Sequence, residues 1–245
     1  MIEFNQLRKS FGEREILKGL SLSINEGEIL FILGTSGTGK SVLLKLLVGL
    51  LQASSGNIKI DNEDVTHFSE EEFLPVRQKC GMVFQQPALF DSLSIFENVA
   101  FGLRRHHPDM PEDQVVERVK ECLRLVQLKG VDEKLPQQIS YGMQKRASLA
   151  RTVAVGPKIL LFDEPTTGLD PVTTNAVNKL ILDLSRELKT TSIVVSHDMH
   201  CALEIADRIV VLDKGEIVDQ GTPEHIKNSQ QPLVKDFMSE AVGHA

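Results

Sequence analysis

The sequence predicts an α/β fold: a mostly parallel sheet with helical crossovers, an antiparallel β lobe at its start and a helical lobe inserted in the middle. Three patterns predict it. Ile29-Leu30-Phe31-Ile32-Leu33 is a continuous apolar run between glycines, the mark of a strand buried on both faces. Helical spacing follows at once in Val42, Leu43, Leu46, Leu47 and Leu50. Beyond residue 157, strand-like and helix-like stretches alternate, as parallel strands joined by crossover helices do.

In chain order, Ile2, Phe4 and Leu7, then Leu20, Leu22 and Ile24, repeat with period two, the pattern of half-buried antiparallel strands. Gly56-Asn57-Ile58-Lys59-Ile60-Asp61 reads as a further edge strand opening from a turn. From about Glu97 to Arg151 the period is helical: Val115, Val119, Cys122 and Val126, flanked by Val116 and Leu123, form one apolar stripe. Pro108 and Pro111 mark its start and Pro136 its break. A strand at 159–163, a helix at 173–188, a strand at 192–196 and a helix at 199–206 follow. Then come strands at 209–212 and 216–219, joined by the turn Asp213-Lys214-Gly215. The tail from Pro223 is polar and reads as a short helix or a loose end. The expected organisation is one domain, 1–245. Residues 1–84 and 157–222 form the core and β lobe, about 85–156 the helical subdomain and 223–245 the tail.

Composition narrows the function classes. With 245 residues, 41% of them hydrophobic and 25% charged, the chain is long enough to bury a large core and is unlike disordered, collagen-like or coiled-coil chains. A formal charge of -7 without a basic patch argues against a sequence-independent grip on nucleic acid. The apolar runs fall far short of the roughly 20 residues of a membrane helix, and the polar start Met1-Ile2-Glu3-Phe4-Asn5 is unlike a signal peptide. Cys80, Cys122 and Cys201 are odd in number and share no paired motif, so they read as reduced thiols of a cytosol-like compartment.

Gly34-Thr35-Ser36-Gly37-Thr38-Gly39-Lys40-Ser41 fits G-x-x-x-x-G-K-[ST] and sits between a buried strand and a helix, the context this phosphate loop needs. Its glycines let backbone N–H groups curl around an anion, and the helix N-terminus adds partial positive charge. Lys40 reaches terminal phosphates and Ser41 can ligate Mg²⁺. A plain connecting turn would have no use for Lys40 followed by Ser41. The other half of a metal site belongs at a strand end: in Lys158-Ile159-Leu160-Leu161-Phe162-Asp163-Glu164-Pro165, Asp163 can hold Mg²⁺ through water. Glu164 can polarise an attacking water as general base. Alone, such acids are as often solvated strand caps.

Ser140-Tyr141-Gly142-Met143-Gln144-Lys145-Arg146, followed by Ala150-Arg151 and the Asp163-Glu164-Pro165 strand, resembles the signature motif and Walker B of the ATP-binding cassette family. The resemblance spans almost the whole chain. Phe11 fits the aromatic that stacks on adenine, Gln85 the glutamine loop, Gly168-Leu169-Asp170 the loop after Walker B, and His197 the switch histidine. It implies a P-loop NTPase with a RecA-like core, an antiparallel β lobe and an inserted α-helical subdomain, using ATP and Mg²⁺. Gln85 would serve Mg²⁺ and the attacking water. His197 would donate to the γ-phosphate while holding Glu164. Alone, Phe11 and His197 could equally be ordinary core residues. Ser140 and Gly142 would act in trans on ATP bound to a partner's loop, with Asp170 at the seam, so a homodimer is implied. The sequence departs from the family at Tyr141, where glycine is usual; the ring either crowds the phosphates or turns outward.

A cassette without membrane helices needs integral membrane permease subunits, and would lie peripherally on the cytoplasmic face of the inner membrane. The stretch Gln86-Pro87-Ala88-Leu89-Phe90-Asp91-Ser92-Leu93-Ser94-Ile95-Phe96 to Ala100 is a candidate docking groove, although core packing explains Leu89 and Phe96 as well. With Leu74-Pro75-Val76-Arg77, it resembles cassettes of phospholipid-trafficking, Mce-associated systems, which implies phospholipid cargo and a periplasmic lipid-binding partner. Amino-acid, metal and lipoprotein transporters use nearly the same engine. A soluble non-transport cassette would carry tandem cassettes or a long coiled coil between phosphate loop and signature, and a small-molecule kinase would lack the signature and switch histidine.

Overall fold

The computed structural model describes residues 2–243, and side chains through Ser239. Strands β1 (Ile2–Phe11) and β2 (Arg14–Ile24) form a long antiparallel hairpin, and β4 (Ser55–Ile60) and β5 (Glu63–Asp64) complete a four-stranded sheet in the order β2-β1-β4-β5. The sequence places 56–61 at an edge. In the structure β4 lies inside, paired with β1 on one side and with the two-residue β5 on the other. Asp61 and Asn62, both with left-handed φ, form the turn between β4 and β5.

The second sheet has six strands, ordered β10-β9-β3-β8-β7-β6. Its members are β3 (Ile29–Leu33), β6 (Cys80–Val83), β7 (Ile159–Asp163), β8 (Thr191–Ser196), β9 (Arg208–Asp213) and β10 (Glu216–Gly221). All neighbours pair in parallel except β10, which returns antiparallel beside β9. Alternation across this sheet separates two cores. Phe31, Leu33, Leu160, Phe162 and Val194 face one of them; Leu30, Ile32, Leu161, Ile193 and Val195 face the other. Burial on both faces is why these strands read as unbroken apolar runs.

The second core is closed by the β lobe and by α1 (Lys40–Leu47), whose Leu43, Leu44, Leu46 and Leu47 are buried. Leu50, which fits the helical period, falls beyond the helix and is exposed. The first core is closed by α3 (Ile95–His106), α4 (Glu112–Leu125), α5 (Tyr141–Ala154), α6 (Pro171–Glu187) and α7 (Met199–Ile205). Helices α3 to α5 lie between β6 and β7 in the chain, and Pro136–Gln138 make a single 3₁₀ turn before α5. The predicted stripe Val115, Val119, Cys122, Leu123 is the buried face of α4.

Three elements escape the sequence pattern, β5, α2 (Phe73–Lys79) and β6. A Cβ on Gly81 of β6 would stand 2.6 Å from Thr152 Cγ2, so α5 packs closer here than a side chain allows. The tail is not a loose end. It forms α8 (Pro223–Lys227) and α9 (Pro232–Gly243), and buries Ile226, Val234 and Phe237 in the first core. Residues 244–245 lie outside the described residues. Among the described residues, no helix is long and apolar enough to cross a membrane.

Candidate active site

Loop 34–41 leaves the end of β3 and enters α1 with Gly37 and Gly39 at left-handed φ of 82° and 105°. A Cβ on Gly34 would stand 2.7 Å from both Leu212 O and Thr38 Oγ1, and one on Gly39 2.6 Å from Leu17 Cδ2. Glycine is therefore needed at both positions to hold the loop against β9 and β2. Thr38 is buried and donates to Thr35 O at 2.9 Å, while Thr35, Ser36 and Gly37 face solvent. Arg14, at the start of β2, brings Nη2 to 3.9 Å from where a Cβ on Gly37 would stand. Its partner in the hairpin is Phe11, 48% exposed, with Lys9 Nζ 4.9 Å from the ring centroid. That exposure leaves an aromatic face available rather than buried in a core.

Lys40 folds back inside the loop, where Nζ donates to Gly34 O at 2.7 Å and Thr35 O at 3.1 Å. Its ammonium is nearly buried, and burial lowers its pKa against the opposing pull of Glu164 and Asp163. Beside it, Ser41 Oγ donates to Asp163 Oδ1 at 2.7 Å. The neighbouring Glu164 brings Oε1 to 3.7 Å from Lys40 Nζ.

In a regular strand Asp163 and Glu164 would point to opposite faces. They share one cleft because Glu164 takes φ of 50°, a left-handed conformation rare outside glycine, just past β7. Its backbone N–H donates to Val195 O at 2.9 Å, which keeps this turn on β8. A conformation of this kind costs on the order of 1–3 kcal/mol and persists where its surroundings enforce it.

Glu164 Oε2 lies 2.8 Å from His197 Nδ1 and accepts from Thr167 Oγ1 at 3.2 Å. Burial pushes the Glu164 carboxyl upward, but the His197 hydrogen bond and charge, with Lys40, outweigh it and hold its pKa below the ordinary value. The same hydrogen bond raises His197 above its ordinary value against partial burial. His197 follows β8, and its side chain is 61% exposed, turned toward solvent rather than packed in a core.

Ser140 and Asp170 cap α5 and α6. Ser140 Oγ accepts from Met143 N at 3.3 Å, and Asp170 accepts from Thr173 N at 3.0 Å and Thr173 Oγ1 at 2.6 Å. Both are exposed. They share a cavity of about 390 Å³ with Tyr141, Gly142, Gly168 and Leu169. None of residues 34–41, Asp163, Glu164 or His197 lines it. The Tyr141 ring stays at the wall of this cavity while its hydroxyl reaches the glutamine loop, 3.4 Å from Gln85 O and 3.2 Å from Gln86 Oε1.

Gln85 is exposed beyond β6, and its carbonyl accepts from buried Lys145. Beyond it, Arg151 donates to Ala88 O at 2.8 Å. Fully buried Asn98 holds the same loop, accepting from Phe90 N and donating to Phe90 O, Leu93 O and Ser94 O. Leu89 and Phe96 pack against the first core, so the exposed apolar surface belongs instead to Phe84, Phe90 and Phe101. The rings of Phe90 and Phe101 are 4.7 Å apart. Thr167, Lys145, Asn98 and Arg14 are the residues here that the sequence reading did not single out. Lys145 alone had a signal, its place one helical turn after Tyr141.

The arrangement fits a magnesium nucleotide. Glycines pack the loop tightly against β9 and β2; an ammonium is stored inside it; and a hydroxyl and a carboxylate, both hard oxygen donors, sit together at its end. The family model described as ABC transporter matches residues 17–167. Over 97% of this chain, 41% of residues are identical to the probable ribonucleotide transport ATP-binding protein mkl of Mycobacterium bovis; the chain spans 66% of that protein's length. It is 40% identical to the intermembrane phospholipid transport system ATP-binding protein MlaF of Haemophilus influenzae, covering 97% of this chain and 90% of that one. Among solved structures, the dimeric post-hydrolysis state of the ATP-binding cassette MJ0796 bound to ADP and Pi superposes with a TM-score of 0.83. The two are 33% identical, over 91% of this chain and 99% of that one. The chain therefore belongs to the ABC transporter family, as an ATP-hydrolysing cassette that works with ATP and Mg²⁺.

Proposed function

We propose that two copies of this chain close around two ATP molecules and that hydrolysis drives a separate membrane permease moving phospholipid between membranes. One observation carries the dimer. The cavity that gathers Ser140, Gly142 and Asp170 excludes the phosphate loop and Glu164 of the same chain, so each copy holds two halves that belong to different sites. In this reading Ser140 and Gly142 reach the γ-phosphate cradled by loop 34–41 of the other copy, with Asp170 at the seam.

Within one site, Phe11 offers its exposed face to adenine and loop 34–41 binds the phosphates through backbone N–H groups. Ser41 and Asp163, which already meet, would hold Mg²⁺ with Gln85, and the ion would supply charge neutralisation at the phosphates. Lys40 has a dual role. In the resting chain it adds its charge to the His197 hydrogen bond and charge that hold the Glu164 pKa below its ordinary value. Drawing Lys40 to the phosphates removes one cause of the depressed pKa and makes Glu164 a better base for the attacking water. His197 then holds Glu164 through Nδ1 and leaves its other ring nitrogen for the γ-phosphate.

The exposed Phe84, Phe90 and Phe101 surface, braced by Asn98 and Arg151, supports docking of a permease, with this chain lying peripherally on the cytoplasmic face of the inner membrane. The likeness to MlaF, spanning nearly the full length of both chains, supports phospholipid as cargo and a periplasmic lipid-binding protein as the further partner. The test is reconstitution of the permease that copurifies with this chain into vesicles holding fluorescent phospholipid. ATP-dependent movement of the lipid, lost on Lys40→Ala, supports the reading; movement of a polar solute instead refutes the cargo.

A further inference from the structure

Helix α5 begins at the residues assigned to the partner's γ-phosphate and runs directly beneath the glutamine loop. Its donors recur along the side facing that loop. Tyr141, at the first turn, points its hydroxyl at Gln85 O and Gln86 Oε1, 3.4 and 3.2 Å away. Lys145, one turn on, is 3% exposed, and among the described residues its ammonium donates only to Gln85 O, beneath the Tyr141 ring at 5.5 Å from the centroid. Arg151 takes Ala88 O at 2.8 Å. Ala88 is itself held at a left-handed φ of 51°, so the loop has a definite shape that these donors fix.

Burying an ammonium is costly unless a strong acceptor meets it, and here that acceptor is one loop carbonyl. A carbonyl shared by a hydroxyl and an ammonium from successive turns of one helix cannot shift without that helix. Movement at the Ser140 end of α5 is thereby linked to the Gln85 backbone by direct contact.

We propose that Tyr141 and Lys145 are a positioning pair that ties the signature end of α5 to the Gln85 backbone, so that engagement of Ser140 by a partner's nucleotide sets the place of the Gln85 side chain. The inference rests on the role given to Gln85 above. It gives the departure at Tyr141 a use: the hydroxyl reaches the loop while the ring shares the cavity wall with Ser140 and Gly142. Neither residue touches the reacting atoms; Lys145 also feels the charge of Glu164, which Lys145→Arg preserves, so exchange at 84–91 is the readout that isolates the tie to Gln85.

The test uses the full-length chain and the variants Tyr141→Phe, Lys145→Met, Lys145→Arg and Gln85→Ala, with steady-state ATP turnover and amide hydrogen exchange measured on each. Lys145→Met is expected to speed exchange in residues 84–91 while leaving 34–41 unchanged. It should lower kcat by about 10- to 100-fold with KM within twofold, the mark of a misplaced group rather than lost binding. Lys145→Arg should recover most of kcat, and Tyr141→Phe should show the same split more weakly. Unchanged exchange at 84–91 in a folded Lys145→Met overturns the tie. Faster exchange with normal kcat overturns the positioning role, as does a loss of kcat that arginine does not rescue. If Tyr141→Phe matches wild type in both readouts, the hydroxyl has no part in the pair. Normal turnover by Gln85→Ala refutes the role of Gln85 itself, a result the exchange data keep distinct from the tie.

Discussion

Glu164→Gln is the perturbation that isolates the chemistry from the architecture. Glutamine keeps the length and shape of the side chain and can still accept from Thr167 Oγ1 and a protonated His197 Nδ1, which stand 3.2 and 2.8 Å from Oε2. What it loses is the negative charge 3.7 Å from Lys40 Nζ and the ability to take a proton. Loss of a general base costs about 10²–10⁴-fold in rate, or about 3–5 kcal/mol of barrier. ATP affinity should hold or improve, because Lys40 no longer neutralises a carboxylate before meeting phosphate. The assay pairs phosphate release under saturating MgATP with equilibrium binding of ATP to the same preparation. Turnover within a few-fold of wild type would refute the assignment of Glu164, and the base would have to be sought elsewhere.

Three other outcomes follow from the geometry. His197 is held above its ordinary value of 6.5 and Glu164 below 4.5, so their mutual stabilisation is whole between those values. It fades as pH rises through the folded His197 pKa and as pH falls through that of Glu164; the melting-temperature gap between wild type and His197→Ala should be widest there and narrow on either side, and a flat gap would contradict it. At Gly215 an added Cβ would stand 2.2 Å from Ile16 O, in a left-handed turn whose carbonyl accepts from Lys18 N. Gly215→Ala should cost about 2–3 kcal/mol, roughly 4–12 °C in a thermal melt, and an unshifted melt would show that the turn relaxes freely. Phe237→Ala should destabilise by about 3–5 kcal/mol if the tail is part of the core, measured by denaturant unfolding; a change under about 0.5 kcal/mol would mean that α9 is dispensable.

The centre of the fold was legible because it is locally coded. β3, loop 34–41 and α1 occupy consecutive residues, and burial on both faces writes β3 as an unbroken apolar run. β6 was not, because four residues containing Gly81 carry no period, and its place is set by Thr152 and by pairing with β7 far along the chain. The interior position of β4 likewise depends on a two-residue partner that no pattern marks. The tail carried a short helical signal, Leu233, Val234, Phe237 and Met238 at helical spacing, but its docking on the core depends on residues far along the chain, and Ile226, Val234 and Phe237 are all buried.

In the candidate site, the motifs named the right neighbours. Ser41 meets Asp163, Lys40 approaches Glu164, and Glu164 meets His197, pairs separated by more than a hundred positions or by a whole strand and helix. The left-handed turn that lets adjacent carboxylates share a cleft is a backbone property with no residue signature at Glu164. The direction of Tyr141 depends on where the glutamine loop lies, and only the folded chain states that.

The central claim, that each copy completes the other's site, is tested most directly by cross-linking a Ser36→Cys copy to a Ser140→Cys copy in the Glu164→Gln background, with ATP present or absent. The account predicts a cross-linked dimer that forms with MgATP and disappears without it. No such cross-link with MgATP, together with full-rate ATP hydrolysis by the chain that keeps Glu164 and the mass of a single copy in light scattering, would contradict it.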